Sequence, residues 1–406
     1  MKEQQTSVWW QRADLCYQQQ HLQFAGRPVA DLARQFGTPA FVYSAQRVRD
    51  NILRVKNALL TIGGQQQHRL FYAMKANRFA PLLTYLKQSG LCGIDACSPS
   101  EVEHALGCGF SAKDISFTAT SLSPQDFDAL ARYDGLLFNA DSLHSIREWG
   151  RRKPGSEIGI RINPAAGVSR ASNELLQYAG PLTTKFGVYQ EQFPEAMAVA
   201  ASHGLTISRI HFHTGCGYLT EQLPQWQAVL QKCLWFVEQV PTVQRVNIGG
   251  GLGVPHVASD QPLDLKKWAE IIKENFTDRH LAVDIEPGDY LAKDAGILLL
   301  GITFLEQKQQ THFIGVDGGF NIAPEPAYYK LPFQPVSLVE GASDKQSPFH
   351  VAGNINEALD VWYENILLPD MADQKYIALI NAGAYSASMA SNHCMRGHLR
   401  EFLLLP

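Results

Sequence analysis

Arg69-Leu70-Phe71-Tyr72-Ala73-Met74-Lys75 is a short apolar run that ends on a cation. Seven runs of similar length follow it. They are 93–98 (GIDACS), 114–120 (DISFTAT), 135–141 (GLLFNAD), 157–163 (EIGIRIN), 207–215 (ISRIHFHTG), 243–249 (VQRVNIG) and 280–286 (HLAVDIE). Helix-length segments separate them. Near-continuous apolar strands spaced by helices imply a parallel sheet covered on both faces. Eight such units predict the α/β class and a (β/α)8 TIM-like barrel. Spacing alone leaves an open doubly wound sheet as the alternative. The interval between 163 and 207 is the longest. It holds a loop from Pro164 to Thr184 and a helical stretch from about Gln192 to His203. Long loops at the top of a barrel often carry function.

After Gly288 the rhythm changes. Runs at 296–304 (GILLLGITF), 312–317 (HFIGVD), 347–352 (SPFHVA) and 376–380 (YIALI) are strand-like and lack regular helices between them. They predict a second, mainly β domain. The strand-like 22–25 (LQFA) joins it from the other end of the chain. The expected division is a barrel over 40–290, with 1–39 and 291–406 forming the β-rich domain.

The composition is that of an ordinary globular protein: 45% of the 406 residues are hydrophobic and 18% are charged. A large core can therefore be buried. With 35 basic and 39 acidic residues and no block of like charge, nothing points to nucleic acid or to an anionic membrane. No apolar run approaches the ~20 residues of a membrane span, and the segment from Met1 to Trp10 lacks a signal-peptide core. A cytoplasmic protein is expected. The seven cysteines (16, 92, 97, 108, 216, 233 and 394) have no CxxC spacing. They predict reduced thiols, and no metal site.

The strand ends are informative, because barrel active sites lie there. Lys75 follows the first strand, and buried lysines form Schiff bases readily. His211 and His213 follow the sixth and point the same way by alternation. Gly249-Gly250-Gly251 follows the seventh, where backbone N–H groups can approach an anion. Glu286-Pro287-Gly288 follows the eighth, with its carboxylate at the same mouth. A lysine, a histidine, a glycine loop and a carboxylate around one mouth fit pyridoxal 5′-phosphate.

With these residues in view, the chain resembles the fold-type III pyridoxal-phosphate-dependent decarboxylases, the group of diaminopimelate, ornithine and arginine decarboxylases. Their fold is an alanine racemase-like barrel plus a β domain. The likeness runs from Gly37-Thr38-Pro39-Ala40-Phe41-Val42-Tyr43 to Gly383-Ala384-Tyr385-Ser386. It implies that Lys75 in YAMKAN is the Schiff-base lysine and that His213 in FHTGCG stacks on the cofactor ring. It implies that Gly249, Gly250 and Gly251 hold the phosphate, with Gly288 beside them. Glu286 in EPGD would keep the pyridine nitrogen protonated, and Tyr385 would lie near the phosphate. Asp95, Ser98 and Glu101 match the second-strand signature, and Lys185-Phe186-Gly187 matches KFG. Cys216 stands where the family has a phosphate-side serine. An anion at the pyridine nitrogen favours decarboxylation over racemisation.

Three departures bear on substrate. The family's proton-donating cysteine is replaced by Asn356, in Gly353-Asn354-Ile355-Asn356-Glu357-Ala358-Leu359-Asp360. Asparagine is a poor general acid, so Lys75, or a water placed by Asn356, would supply the proton. The arginine of EPGR is Asp289, and the arginine of RPALY is Glu325. In diaminopimelate decarboxylases these arginines read the distal carboxylate, so their reversal argues against that substrate. The tail, Asn392-His393-Cys394-Met395-Arg396-Gly397-His398, resembles the branch that serves carboxylate-siderophore biosynthesis and iron acquisition. That resemblance implies a citryl-linked amino acid as substrate (citryl-ornithine, citryl-diaminopropionate or citryl-serine), met by Arg396, His393 or Arg170. The alternatives are a decarboxylase of free ornithine, lysine or arginine, with Asp289, Glu325, Glu357 and Asp360 holding a distal cation, or, less favoured, of diaminopimelate, and a catalytically silent regulatory homologue. The family also implies a homodimer with active sites at the interface.

Overall fold

A computed structural model describes residues 8–63, 67–170, 173–176, 180, 182–341 and 345–406. Within the 164–184 loop, positions 171, 172, 177–179 and 181 lie outside these residues. The chain forms two compact units, one of residues 51–254 and 261–291, the other of residues 1–50, 255–260 and 292–406.

The first unit is a closed barrel of eight parallel strands. Its strands are Arg69–Ala73, Gly93–Ala96, Ile115–Thr118, Leu137–Ala140, Glu157–Arg161, Thr206–His211, Arg245–Asn247 and Ala282–Ile285. Closure comes from pairing of Asp284 with Arg69 and of Ile285 with Leu70. The apolar runs thus close on themselves rather than forming an open sheet. Outward side chains such as Ile94, Phe117, Phe138, Ile160 and Val246 are buried beneath the helices. The helices begin where short polar residues can cap them. Ser98 accepts a hydrogen bond from the Glu101 amide, and Ser123 with Asp126 forms a capping box. Proline follows both serines, where its missing N–H costs nothing.

The barrel interior is less apolar than the strand sequences suggest. Inward positions carry polar groups in tiers. At the N-terminal end Asp284 accepts hydrogen bonds from Arg69 Nε (2.9 Å) and Arg245 Nη2 (2.6 Å). Burial alone would raise the Asp284 carboxyl; its two arginine partners bring it below the usual value.

The second unit is mainly β. Strand Gly296–Lys308 organises it. Its first half pairs with Tyr376–Ile380 on one side and with Ala40–Ser44 on the other. Its second half pairs with Thr311–Val316, from which the sheet continues through Ser347–Ala352 to Val361–Leu368. Ala40–Ser44 is hydrogen-bonded in this sheet, although it falls within the 40–290 stretch read as barrel. Its other neighbour is Glu401–Leu404. The strand over 361–368 has no clean alternation of apolar and polar residues, which is why the sequence reading passed over it.

Candidate active site

The barrel's C-terminal mouth collects residues from at least six of its strands. Lys75 lies just past Arg69–Ala73, its side chain about half exposed, with Nζ 3.9 Å from Asp95 Oδ2 at the end of the next strand. Asp95 is buried. Burial and the Glu286 anion raise its carboxyl well above the usual range, outweighing the pull of Lys75. Behind it, Ser98 caps the next helix, and Glu101 accepts hydrogen bonds from the Cys97 amide (2.7 Å) and thiol (3.2 Å).

Glu286 is buried and carries the most developed set of contacts. Its Oε1 accepts hydrogen bonds from Ser116 Oγ at 2.7 Å and Asn247 Nδ2 at 2.6 Å. Its Oε2 accepts one from His211 Nε2 at 2.9 Å. Burial would raise this carboxyl, but the three donors bring it down to about 2. Burial also lowers His211, while the Glu286 carboxylate beside it pulls the other way. The anion therefore rests on a hydroxyl, an amide and an imidazole N–H.

His213 is held well below its usual value by burial and by the nearby Lys75 and Arg161 cations. Its Nε2 lies 3.4 Å from Cys216 Sγ. The glycine loop packs backbone against backbone. A Cβ on Gly250 would sit 2.4 Å from the Glu286 carbonyl, and one on Gly251 would sit 2.3 Å from the Gly215 carbonyl. Gly251 also has φ of +97°, which side chains disfavour. At Gly288 a Cβ would meet the side chains of Ala76 and Ala73 at 2.8 and 3.1 Å.

The structure thus brings Lys75, Asp95, His213, Cys216, the glycine loop, Glu286 and Gly288 into one unit. Sequence reading missed Ser116, Asn139, Arg161 and Asn247. The signal was available at Ser116, which alternates inward with Thr118 in a buried strand, and at Asn247, which directly precedes the glycine loop.

Several residues expected to face substrate are otherwise engaged. Glu325 is buried in the second unit and paired with Lys293, which also donates to the Ala384 carbonyl at 2.9 Å. Asp360 is buried, and its oxygens accept the amides of Phe320 (2.7 Å) and Ile355 (2.6 Å), so it shapes the 353–360 loop from inside. Arg170 is buried and donates to the Val254 carbonyl at 2.7 Å. Glu357 pairs with His393 at 3.2 Å. Asn356 is exposed on the loop tip, Arg396 is exposed, and Asp289 opens a short helix after the eighth strand. Tyr385 has φ of +53° and its ring lies 5.5 Å from Lys293 Nζ.

Residues 46–293 match the pyridoxal-binding domain of the pyridoxal-dependent decarboxylases, and the chain belongs to that family. It is similar to the diaminopimelate decarboxylase of Methanothermobacter thermautotrophicus, with 31% identity over 95% of this chain and 90% of that one. It is similar also to the diaminopimelate decarboxylase of Escherichia coli, with 29% identity over 92% and 90%. In fold it matches a Helicobacter pylori diaminopimelate decarboxylase complexed with L-lysine (TM-score 0.83, 23% identity, 93% and 94% covered). It likewise matches a Vibrio vulnificus lysine/ornithine decarboxylase complexed with cadaverine (TM-score 0.79, 19% identity, 93% and 95% covered). The chain is a carboxy-lyase acting on an amino acid, and its cofactor is pyridoxal 5′-phosphate. The mouth fits that group: an amine on Lys75 for its aldehyde, and a buried anion on Glu286 for a protonated ring nitrogen. No described helix is long and apolar enough to cross a membrane.

Proposed function

We propose that this decarboxylase removes the α-carboxylate of a citrate-conjugated amino acid in carboxylate-siderophore biosynthesis. The observation that carries the reading is the fate of the acidic replacements. Glu325 is paired internally with Lys293, Asp360 accepts two backbone amides, and Glu357 lies 3.2 Å from His393 Nε2. Three of the four acids that could hold a distal ammonium group are therefore engaged, which speaks against a free basic amino acid. The arginines that would read a diaminopimelate carboxylate are absent at Asp289 and Glu325. A citryl group would be met by exposed cationic groups such as Arg396, beside His393.

In this reading bound pyridoxal phosphate supplies the sink for the electron pair left when CO2 departs. Lys75 Nζ would hold the cofactor through its aldehyde, and the substrate amine would take that place. Glu286 would keep a proton on the ring nitrogen, and His213 would lie at the ring. The glycine loop would bind the phosphate, with Cys216 in the serine's place, and the family's pattern assigns Tyr385 to the phosphate as well. Lys75, or a water placed by Asn356, would return a proton to the α-carbon. The family's habit of completing its sites across a homodimer extends to this chain, and sedimentation at twice the monomer mass checks it.

The likeness to diaminopimelate decarboxylases over nearly the whole chain favours a second reading, that diaminopimelate itself is the substrate. One experiment separates the two. The loaded protein is incubated with citryl-ornithine, citryl-diaminopropionate, citryl-serine, ornithine, lysine and diaminopimelate, and loss of CO2 is followed by mass spectrometry. Turnover confined to citryl conjugates is expected. Turnover of diaminopimelate or of a free basic amino acid overturns the proposal.

A further inference from the structure

The Ser116 hydroxyl that donates to Glu286 is itself the end of a longer chain of donors. Asn139 Nδ2 donates to Ser116 Oγ at 3.2 Å and to Thr118 Oγ1 at 3.0 Å. Asn139 Oδ1 in turn accepts from Arg209 Nε at 3.5 Å, and Arg209 Nη2 donates to the Phe138 carbonyl at 3.2 Å. All four residues are buried. Every donor in the sequence Arg209, Asn139, Ser116 points the same way, towards Glu286 Oε1. Hydrogen bonds aligned head to tail polarise one another, and they do so most in a low-dielectric interior. A second observation shows that the barrel makes room for this arrangement. Gly159, on the neighbouring strand, is the residue against which Asn139 lies. A Cβ there would sit 2.0 Å from Asn139 Oδ1 and 3.4 Å from Arg209 Cβ.

We infer that Arg209 and Asn139 are positioning residues, which act through Ser116 to hold Glu286 as the anion that keeps the cofactor's ring nitrogen protonated. The chain links a buried cation beneath the active site to a buried anion in it, with no charge between them. Asn139 sets the direction, because its amide accepts from Arg209 through Oδ1 and donates to Ser116 through Nδ2. This inference rests on the cofactor and is independent of which amino acid is decarboxylated.

The decisive variant is Asn139→Asp. It keeps the size that Gly159 accommodates and keeps an acceptor for Arg209. It also replaces the donor towards Ser116 with a second acceptor, so the Ser116 hydroxyl turns away from Glu286. The readout is the 15N resonance of ring-labelled pyridoxal phosphate bound to the full-length protein, beside kcat and thermal stability. In Asn139→Asp and in Ser116→Ala the ring-nitrogen signal is expected to move towards the unprotonated position. kcat should fall about ten-fold, the size of one lost hydrogen bond to a charged group. Arg209→Gln should move the signal the same way, and Arg209→Lys should restore most of it. A ring-nitrogen signal that stays at the wild-type position in Asn139→Asp overturns the inference, whatever happens to stability. A signal that moves in Asn139→Asp but not in Ser116→Ala overturns the route through Ser116. Because the readout needs no substrate, its failure is distinct from failure of the citryl reading.

Discussion

Glu286 and Asp95 face one another as unlike carboxyls in one mouth. Glu286 is depressed to about 2 by His211, Ser116 and Asn247, against an ordinary value of 4.5. Its contribution to stability is complete above pH 4.5 and is lost as pH falls towards 2. Asp95 is raised, first by burial and then by Glu286, so it has the opposite sign. It favours the fold while protonated and costs stability once pH rises through its folded value. Thermal melts across pH should therefore show Asp95→Asn more stable than the parent at neutral and alkaline pH, with the gap closing in acid. Glu286→Gln should flatten the decline between pH 4.5 and 2. It should also lower kcat by about 10²–10³-fold, the usual loss when one preorganised electrostatic group is removed. The positions of Lys75, His213 and Glu286 were readable from the sequence because strand ends mark a barrel mouth. The partners of Glu286 were not, since Ser116 and Asn247 meet it only when the barrel closes.

Two elements of the second unit show why acidic residues in a motif do not by themselves make a cation site. The helix Glu325–Tyr329 begins with a buried carboxylate, and Lys293 lies against it with no exposed surface. Removing one partner leaves the other charge buried. Lys293→Met or Glu325→Leu alone should cost about 3–5 kcal/mol in chemical denaturation, and the double variant should recover most of that loss. The 353–360 loop is folded around Asp360 in a similar way. Gly353 and Gly319 pass so close that a Cβ on either would meet an Asp360 oxygen, at 2.3 and 2.6 Å. Asp360→Ala strands the amides of Phe320 and Ile355 and should cost about 2–4 kcal/mol, read by the same denaturation. Both elements lay beyond sequence reading for one reason. The motif comparison supplies the residue that changed, but not the neighbour that changed with it.

At the scale of the whole molecule, the periodic part of the chain was the legible part. Eight apolar runs separated by helix-length segments become eight strands, because a strand covered on both faces must be apolar along its length. The second unit lacks such a rule. Strands that are partly exposed, such as Val361–Leu368, mix apolar and polar residues irregularly. Ala40–Ser44 fell inside the 40–290 stretch expected to be barrel, yet its partners are Gly296–Leu299 and Glu401–Leu404. That pairing has a consequence for how the protein is made. A ribosome completes every barrel strand by Ile285, but it supplies the last neighbour of Phe41, Val42 and Tyr43 only with residues 401–404. Until then an apolar strand edge waits for a partner, which is the form of chain most prone to wrong pairing. A chain stopped after His398 should retain a protease-resistant barrel fragment while aggregating through that edge. Limited proteolysis and light scattering on freshly synthesised protein would show it, and a fusion at the C-terminus should prove harder to express than one at the N-terminus.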